Sequence, residues 1–443
     1  MNEIPTPLAA TSGTSVNNMD RRHSSNSLFS LSNIATEPPM LTPEEEETEK
    51  KHLEKIVAAL RLYRKFSLSR VNKTEWNLNQ LPKRHQKMLT KYRQHLNTLR
   101  DCIDKNQEVI SEMLSENPLR DASMSSNRKS DEHAAKIRHI DMENSDENVE
   151  HFHILKAQST LKAIARDWSE EEAEERKQSY QPIIEAIEHY FDPKECNVEQ
   201  VKILVPGCGL GRLSYELACR GYECEANEFS YFMLIASNFV LNNCSRENMY
   251  TLHPWVHQHD NNLRRADQVA AVRFPDVCPL KNRPTGILSV VAGDFLEVYK
   301  TPDTYNCVAT CFFIDCANNV VDFIETIYDI LVPGGIWINL GPLLYHFSDI
   351  QNEESIEPTF EDIMVVITGV GFEVLSSKTG VRTKYAQNPQ SMLKSEYESL
   401  FWICRKPLHI PGNDDVNEND DEVDDHGNGY SFPGGFQGSF PLK

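Results

Sequence analysis

Hydrophobic and polar residues alternate with two different periods along this chain. Between residues 43 and 117, apolar residues recur at intervals of three and four, as they do on one face of an amphipathic helix. The first such stripe follows an acidic first turn and consists of Leu53, Ile56, Val57, Leu60, Leu62 and Tyr63. A second helical pattern covers residues 82–114, and a third covers residues 154–191. The N-terminal part of the chain is therefore predicted to be helical.

From residue 201 onward, short apolar runs alternate with helical patterns. The predicted strands are 201–205, 223–227, 287–292, 307–314, 336–340, 372–376 and 400–404. The predicted helices between them are 213–220, 231–242, 320–331 and 360–368. Such alternation predicts an α/β fold with a mostly parallel sheet of seven strands and helices on both faces. The last two strands are joined by a long loop, which predicts a terminal antiparallel pair.

These patterns divide the chain into five segments. They are a disordered tail (1–42), a helical region (43–117), a flexible linker (118–146), an α/β domain (147–408) and an acidic disordered tail (409–443). Residues 246–286 interrupt the alternation inside the α/β domain, and we expect this insertion to act as a lid over the site. The helical region is a candidate surface for a homodimer or a second cover on the substrate side.

Charge and cysteine usage narrow the class of protein. The formal net charge of −21 argues against nucleic-acid binding, which needs clustered lysine and arginine. Eleven cysteines without a C-x-x-C pair fit reduced thiols. Residues 1–11 lack a signal-peptide pattern, and no apolar run reaches the roughly 18 residues that a membrane span requires. We expect a soluble protein of the cytoplasm, with the nucleus as a second compartment, that does not bind membranes.

A glycine-rich turn follows the first predicted strand of the α/β domain. Gly207, Gly209 and Gly211 stand at every second position, immediately before a predicted helix. Glycine lets a ligand lie against bare backbone, and the N–H groups at a helix start favour anionic groups. Glu228 ends the second predicted strand, 17 residues after Gly211, where a carboxylate can accept both ribose hydroxyls. This pattern predicts an adenosine-containing cofactor.

The remaining motifs favour one such cofactor. A dinucleotide-binding turn would need a third glycine for close packing of the helix on the strand, but Leu213 or a later residue stands at that position. No phosphate-binding lysine follows the glycines, which argues against a phosphate loop for ATP hydrolysis. Asp294 and Phe295 follow a strand, where the acid can bind the adenine amino group and the ring can stack on adenine. The predicted strand 307–314 leads into Asp315 at the sheet edge where ligands bind. Together these features predict S-adenosyl-L-methionine and a class I (Rossmann-like) methyltransferase fold.

Longer segments carry a resemblance to a known family. They are residues 166–169, 205–213, 227–230, 254–258, 274–277, 292–295, 309–315 and 333–347. In these segments the chain resembles the carnosine N-methyltransferase family, over roughly residues 45–408. The resemblance implies an S-adenosylmethionine-dependent N-methyltransferase that methylates the imidazole of carnosine, giving anserine, or of a related histidine-containing peptide.

The resemblance also implies roles for individual residues. The implied cofactor contacts are Arg166, Gly207, Glu228, Asp294, Phe295 and Cys311. The implied substrate contacts are Asp315, His346 and Tyr397, of which Asp315 and His346 are the candidate catalytic residues. The chain departs from the family pattern at Ala163, Glu172, Cys208 and Cys316, where the family favours Gln, Gly, Ala and Thr. Ala163 is expected to weaken cofactor affinity.

Asp315 is the key residue of the predicted mechanism. We expect its carboxylate to accept the N–H of a neutral imidazole, which leaves the other ring nitrogen as the nucleophile. His346 and Tyr397 would orient the ring or the peptide part, and the insertion would exclude water. Each has a structural alternative: Asp315 as the cap of the next helix, His346 as a core histidine and Tyr397 as a packing residue. No metal is predicted, because the spaced histidines 253, 257 and 259 lack an evident fourth ligand.

The sequence leaves two alternatives to this function open. One is a methyltransferase for a protein histidine or another small amine, which would share the cofactor half of the site. The other is a non-catalytic scaffold that binds S-adenosylmethionine. The presence of Gly207, Gly209, Glu228 and Asp294 argues against loss of the cofactor site.

Overall fold

The computed structural model describes residues 42–115, 151–348, 350 and 353–408. The predicted linker and the two predicted tails lie outside the described residues, apart from residue 42.

Three helices form the N-terminal region: α1 (Pro43–Gln80), α2 (Lys83–Met88) and α3 (Thr90–Ser115). Helix α1 continues well beyond the predicted stripe, because Val71 and Leu78 extend its buried face at helical spacing. It ends just before Pro82, which restricts the preceding residue and supplies no backbone N–H. Helices α1 and α3 pack on each other through their apolar faces. None of the helices in the described ranges combines the length and apolar composition of a membrane span.

The third helical pattern forms three helices rather than one. They are α4 (His151–Trp168), α5 (Ala173–Ser179) and α6 (Gln181–Tyr190). The buried face of α4 includes Ile154, Leu161 and Ile164, and the helix packs on α1. Its last turn carries Arg166, so a buried cation lies at the end of this helix.

A seven-stranded sheet forms the centre of the α/β domain. Its strands are β1 (Lys202–Pro206), β2 (Glu223–Glu228), β5 (Leu288–Ala292), β6 (Tyr305–Cys311), β7 (Leu331–Gly341), β8 (Glu373–Thr383) and β9 (Tyr397–Arg405). The order is β5-β2-β1-β6-β7-β9-β8, with β9 antiparallel to both of its neighbours and the first five strands parallel. The predicted mostly parallel sheet with a terminal antiparallel pair is confirmed.

Helices cover both faces of this sheet. They are α7 (Arg212–Cys219), α8 (Tyr231–Asn243), α10 (Phe295–Val298), α11 (Val320–Ile330) and α12 (Phe360–Val370). The alternation along β1 explains the layers: Ile203 and Val205 join one hydrophobic core, and Leu204 joins the other. These layers form the class I (Rossmann-like) methyltransferase fold, which the strand alternation and the cofactor motifs predicted together.

Strand β6 is shorter than predicted. The apolar run 307–314 is a strand only as far as Cys311, and Ile314–Cys316 is a turn of 3-10 helix. The strand stops because Phe312 takes a left-handed conformation, φ +54°, which no strand accommodates. This break turns Asp315 away from the strand direction at the edge of the sheet.

The insertion at residues 246–286 contains a small antiparallel pair and a short helix. These are β3 (Tyr250–Leu252), β4 (Val272–Phe274) and α9 (Arg265–Gln268). Its polar groups bond to the N-terminal helices: Nε2 of His257 lies 2.8 Å from the Tyr63 hydroxyl, and the His253 N–H donates to Asn106. The insertion and the helical region therefore form one layer beside the sheet.

Candidate active site

The glycine-rich turn crosses the carboxyl end of β1. Gly207, Gly209 and Gly211 all have positive φ values, of +62°, +57° and +75°. Such angles strain any residue with a side chain, and a Cβ at Gly207 would also run into the Phe313 ring. Gly211 is the N-cap of α7. The turn therefore needs glycine for its shape.

Glu228, the last residue of β2, holds this turn in place. Its Oε2 accepts the N–H of Gly209 at 2.9 Å, and its Oε1 accepts the N–H of Ser230 at 2.8 Å. Burial raises the pKa of Glu228, while these backbone hydrogen bonds lower it. Each carboxylate oxygen keeps a further lone pair for a ligand.

Arg166 lies in a buried network at the end of α4. One Nη donates to Oδ1 of Asp167 at 2.8 Å and to the Tyr180 hydroxyl at 2.6 Å. Its Nε lies 3.0 Å from Oε1 of Glu175. The Tyr180 hydroxyl in turn donates to Asp167 at 2.8 Å. The cation is thus positioned by two carboxylates and a phenol.

Aromatic rings surround the same guanidinium. Its central carbon lies 4.6 Å from the ring centre of Tyr385, 5.0 Å from that of Tyr180 and 5.8 Å from that of Phe312. Phe312 contacts Tyr385 at 5.0 Å and Tyr397 at 6.1 Å between ring centres. Tyr385 is 46% exposed, so one wall of this cluster faces outward. Tyr397 is connected to Arg166 through the Phe312 ring.

Asp276, from the insertion, links α5 to the start of α7, which follows the glycine turn. Its two oxygens accept from Arg176 and Arg212, each at 2.7 Å. Arg212 also donates to the backbone oxygen of Asp167 at 2.9 Å, and the indole N–H of Trp168 donates to the Leu210 backbone at 3.2 Å. All three charged groups of this Arg–Asp–Arg cluster are buried. The insertion therefore supports the predicted cofactor side of the site.

Cys311 ends β6 next to Arg166. Burial raises the pKa of its thiol to about 12, although Arg166 lowers it. The group is therefore a neutral thiol at physiological pH, which agrees with a lining residue rather than a nucleophile.

Asp315 is anchored by the chain that follows β7. Its Oδ2 accepts the Leu344 N–H at 2.8 Å, and its backbone oxygen accepts the His346 N–H at 3.1 Å. The carboxylate is 2% exposed, and burial raises its pKa, while the Leu344 hydrogen bond and the charge of His346 lower it. Asp315 is not the cap of α11, since Asn319 accepts the Val321 N–H there. His346 is exposed, so it is not a core histidine.

Asp294 and Phe295 follow β5 at the same sheet edge. Oδ1 of Asp294 accepts the Leu296 N–H at 2.8 Å as the cap of α10, and the side chain is exposed. The Phe295 ring is buried, with its centre 5.2 Å from that of Phe323 and 5.5 Å from those of Tyr299 and Phe313. The predicted contact of Asp294 with adenine stays a prediction. The predicted stacking of Phe295 on adenine stays a prediction.

The topology explains why these residues share one edge. Gly207, Glu228, Cys311 and Asp294 lie at the carboxyl ends of parallel strands. Tyr397 opens β9, which runs antiparallel to β7, so its start lies beside the end of β7. The predicted site residues therefore lie along the carboxyl edge of the sheet, where Arg166 adjoins Cys311 and Asp315 adjoins His346.

Sequence reasoning missed several neighbours of Arg166. Asp167, Tyr180, Phe312 and Tyr385 all contact its guanidinium or its partners. Asp167 had a signal, because it stands next to Arg166 in a matched segment. Phe312 also stands in a matched segment, next to Cys311, but Tyr385 had no signal, because it is 73 residues from Phe312 in the chain and meets it only in the folded protein.

Comparison with known proteins places this arrangement in a family. A family model described as carnosine N-methyltransferase matches residues 143–408. The chain is 60% identical to carnosine N-methyltransferase unmet of Drosophila melanogaster, over 82% of this chain and 81% of that protein. It is 45% identical to carnosine N-methyltransferase of Mus musculus, over 82% and 88%. For carnosine N-methyltransferase of Schizosaccharomyces pombe the identity is 37%, over 82% and 97%.

Among solved structures, phosphoethanolamine N-methyltransferase 2 of Haemonchus contortus, in complex with S-adenosyl-L-methionine, gives a TM-score of 0.32 at 14% identity. That match covers 51% of this chain and 52% of the other. The family model and the curated relatives confirm the resemblance seen in the sequence. The chain belongs to the carnosine N-methyltransferase family.

Proposed function

We propose that this protein transfers a methyl group from S-adenosyl-L-methionine to the imidazole of carnosine, giving anserine, or to a related histidine-containing peptide. One observation carries the proposal: a buried carboxylate, Asp315, lies on the same sheet edge as the glycine turn and Glu228. The identity of 33–60% to proteins named carnosine N-methyltransferase supports it.

The charges at this edge fit the cofactor. S-adenosylmethionine carries a carboxylate, an ammonium and a ribose diol, and the site offers a cation (Arg166) and two acids (Asp167 and Glu228). Oδ2 of Asp167 lies 3.7 Å from the point where a side chain at Gly209 would begin, so this acid faces the glycine turn. When bound, the cofactor supplies an electrophilic methyl group on a sulfonium.

Each predicted cofactor contact has a place in this proposal. Arg166 would bind the methionine carboxylate, and Asp167 the ammonium. Glu228 would accept the ribose hydroxyls with its remaining lone pairs. The cofactor would lie against bare backbone at Gly207 and over the neutral thiol of Cys311. Asp294 and Phe295 would contact the adenine, which extends the cofactor from β1 toward β5.

Asp315 would orient the imidazole. Neutral imidazole has one N–H donor and one nitrogen with a lone pair. If the ionised carboxylate accepts the N–H, the other nitrogen presents its lone pair to the methyl group, and little deprotonation is needed at neutral pH. The Leu344 N–H holds the carboxylate in one orientation and lowers its pKa, so it favours the ionised form.

His346 and Tyr397 would position the substrate around this carboxylate. His346 is tied to Asp315 by a backbone hydrogen bond, and its exposed ring would contact the imidazole. Tyr397 lies beside Phe312 and would contact the peptide part of the substrate. The rings of Phe312, Tyr385 and Tyr397 would exclude water from the reacting atoms, and the insertion 246–286 would complete the cover.

We also propose that the protein acts in the cytoplasm and nucleus and forms a homodimer through its N-terminal helices. All eleven cysteines are free thiols, as suits a reducing compartment. Trp76, Met88 and Tyr92 are exposed on this helical region and supply apolar surface for a second copy. Sedimentation of the purified chain and of Trp76→Glu tests the dimer, and imaging of the tagged chain tests the compartment.

The function is tested in two steps. Calorimetry first measures the binding of S-adenosylmethionine. Transfer of labelled methyl is then measured with carnosine, free histidine, a histidine-containing protein and β-alanyl-alanine, which keeps the peptide but lacks the imidazole. We expect transfer to carnosine and none to β-alanyl-alanine. Cofactor binding without transfer to any acceptor would instead support the scaffold function, and transfer to the protein alone would support a protein-histidine methyltransferase.

A further inference from the structure

We propose that Asp315, Cys316 and His346 form a zinc site that blocks the substrate pocket when it is filled. The inhibitory consequence rests on the proposed function, but the metal site itself does not. The three residues come from two segments, the turn after β6 and the loop after β7, which meet at the carboxyl edge of the sheet.

The distances suit a zinc ion. Sγ of Cys316 lies 3.4 Å from Nδ1 of His346, and one ligand atom from each of the three residues lies within 4.8 Å of the others. Tetrahedral zinc, with bonds of about 2.0–2.3 Å, holds its ligand atoms roughly 3.3–3.6 Å apart. The thiol and imidazole already have this separation. Because no ligand atoms of the three residues are more than 4.8 Å apart, the carboxylate needs an approach of at most about 1.5 Å.

The backbone around the site is already fixed. The His346 N–H donates to the Asp315 backbone oxygen at 3.1 Å, which joins the two segments. The Leu344 N–H binds Oδ2 of Asp315 at 2.8 Å and orients the carboxylate, as hydrogen bonds to metal-binding carboxylates commonly do. Two of the ligands come from adjacent residues, and the third comes from a loop that is hydrogen-bonded to them. Metal binding therefore needs no rearrangement of the fold.

The chemistry of the donors selects the metal. Thiolate, imidazole and carboxylate together suit zinc, whereas calcium and magnesium prefer oxygen ligands alone. Binding releases the Cys316 thiol proton to solvent, because the thiolate is the metal ligand. Three protein ligands leave the fourth position of a tetrahedral ion open.

Filling this site would stop the proposed reaction for two reasons. Zinc would engage Asp315 and His346, the two groups assigned to the substrate imidazole. An imidazole that entered the open fourth position would bind zinc through its ring lone pair, which is the pair that must attack the methyl group. Zinc is therefore an inhibitor in this account.

The first test detects the metal without using activity. The metal-stripped full-length chain is titrated with Cd²⁺, whose bond to a thiolate gives an ultraviolet charge-transfer band, and zinc stoichiometry is measured by equilibrium dialysis. We expect one tight equivalent with a thiolate band. Cys316→Thr should lose the band and bind zinc at least about tenfold more weakly. His346→Gln should keep the band and bind more weakly. Cys196→Ser removes an exposed thiol elsewhere and should match the parent chain.

The second test measures inhibition as the ratio of each variant's methyl-transfer rates with and without Zn²⁺. We expect inhibition of the parent chain and of Cys196→Ser, reversed by a chelator, and weaker inhibition of Cys316→Thr by about tenfold or more. A thiolate band that persists in Cys316→Thr, or unchanged zinc affinity in both Cys316→Thr and His346→Gln, would overturn the site. Absence of methyl transfer in the zinc-free parent would contradict the proposed function, while the cadmium titration would still decide the metal site.

Discussion

The backbone N–H of Gly209 donates a hydrogen bond of 2.9 Å to the carboxylate of Glu228. This bond joins the glycine turn after β1 to the end of β2, and the second oxygen of Glu228 accepts the Ser230 N–H. One buried carboxylate thus sets the shape of the turn and, in the proposed function, also binds the ribose. Because of these two roles, loss of the charge of Glu228 alone should weaken cofactor binding.

We expect Glu228→Gln to weaken S-adenosylmethionine binding by about 10- to 100-fold. The amide replaces one acceptor by an NH₂ group, so either Gly209 or Ser230 faces a donor instead of an acceptor. A hydrogen bond to a charged group contributes about 1.5–3 kcal/mol, and each 1.4 kcal/mol is about tenfold in affinity. Calorimetry measures the change. The exposed acid Glu297, changed to Gln, is the control; equal affinity in both variants would contradict the role of Glu228.

Asp276→Asn should lower the free energy of unfolding by about 3–5 kcal/mol, because it removes the charge shared by two buried guanidinium groups. Urea denaturation measures this loss. The matched control is Glu297→Ala, which breaks an exposed pair with Lys300 and should cost less than about 1 kcal/mol. Similar losses in the two variants would show that the Arg–Asp–Arg cluster does not stabilise the contact of the insertion with α5 and α7.

Glu172 makes stability depend on pH. It is 5% exposed, and burial, followed by the charge of Glu175, raises its pKa from 4.5 to about 8. Between these two pH values the folded state binds more protons than the unfolded state, so the free energy of unfolding falls as pH rises. The contribution of the protonated group is fully present below pH 4.5 and is lost as pH rises through about 8.

Glu172→Gln should therefore remove this pH dependence. We expect the Tm of the variant to exceed that of the parent chain by a margin that grows from about pH 5 to about pH 9. Thermal unfolding across this range measures the difference. Glu174→Gln, on the exposed side of the same segment, should follow the parent curve. Parallel curves for Glu172→Gln and the parent would show that Glu172 is ionised without cost in the folded protein.

Tyr385 and Tyr397 both contact Phe312, and we expect different kinetic effects from them. The Tyr385 ring lies 4.6 Å from the Arg166 guanidinium, a cation–π contact of roughly 0.5–2 kcal/mol. Because Tyr385 helps to position Arg166, Tyr385→Ala should weaken the binding of the cofactor by up to that amount. Tyr397→Ala should raise the KM for carnosine and leave the Kd of the cofactor unchanged. Steady-state kinetics with calorimetry separates the two effects. The opposite pattern would reverse the assignment of the two sides of the pocket.

Much of the cofactor side was predictable because it depends on local pattern. The positive φ values at Gly207 and Gly209 need glycine, and the position of Glu228 follows from the length of one βα unit. The break after Cys311 was not predictable. An apolar run does not reveal that Phe312 leaves the strand, because tertiary packing of its ring decides the conformation.

Contacts between distant segments were the hardest to predict. The cluster of Asp315, Cys316 and His346 could not be predicted, because His346 is about thirty residues from the other two in the chain and only the pairing of β6 with β7 brings their ends together. The insertion was expected to cover the site. The structure bonds it to Tyr63 and Asn106, through buried polar groups that no periodicity reveals, and its role as a lid stays a prediction.

The central claim is that a buried carboxylate orients an imidazole beside the cofactor, and Asp315→Asn tests it most directly. The measurement pairs the rate of labelled methyl transfer to carnosine with the Kd of S-adenosylmethionine, using the exposed Asp322→Asn as the control. We expect Asp315→Asn to lose about 100-fold or more in kcat/KM at an unchanged cofactor Kd. A parent-like rate, or an equal loss of cofactor binding, would contradict it.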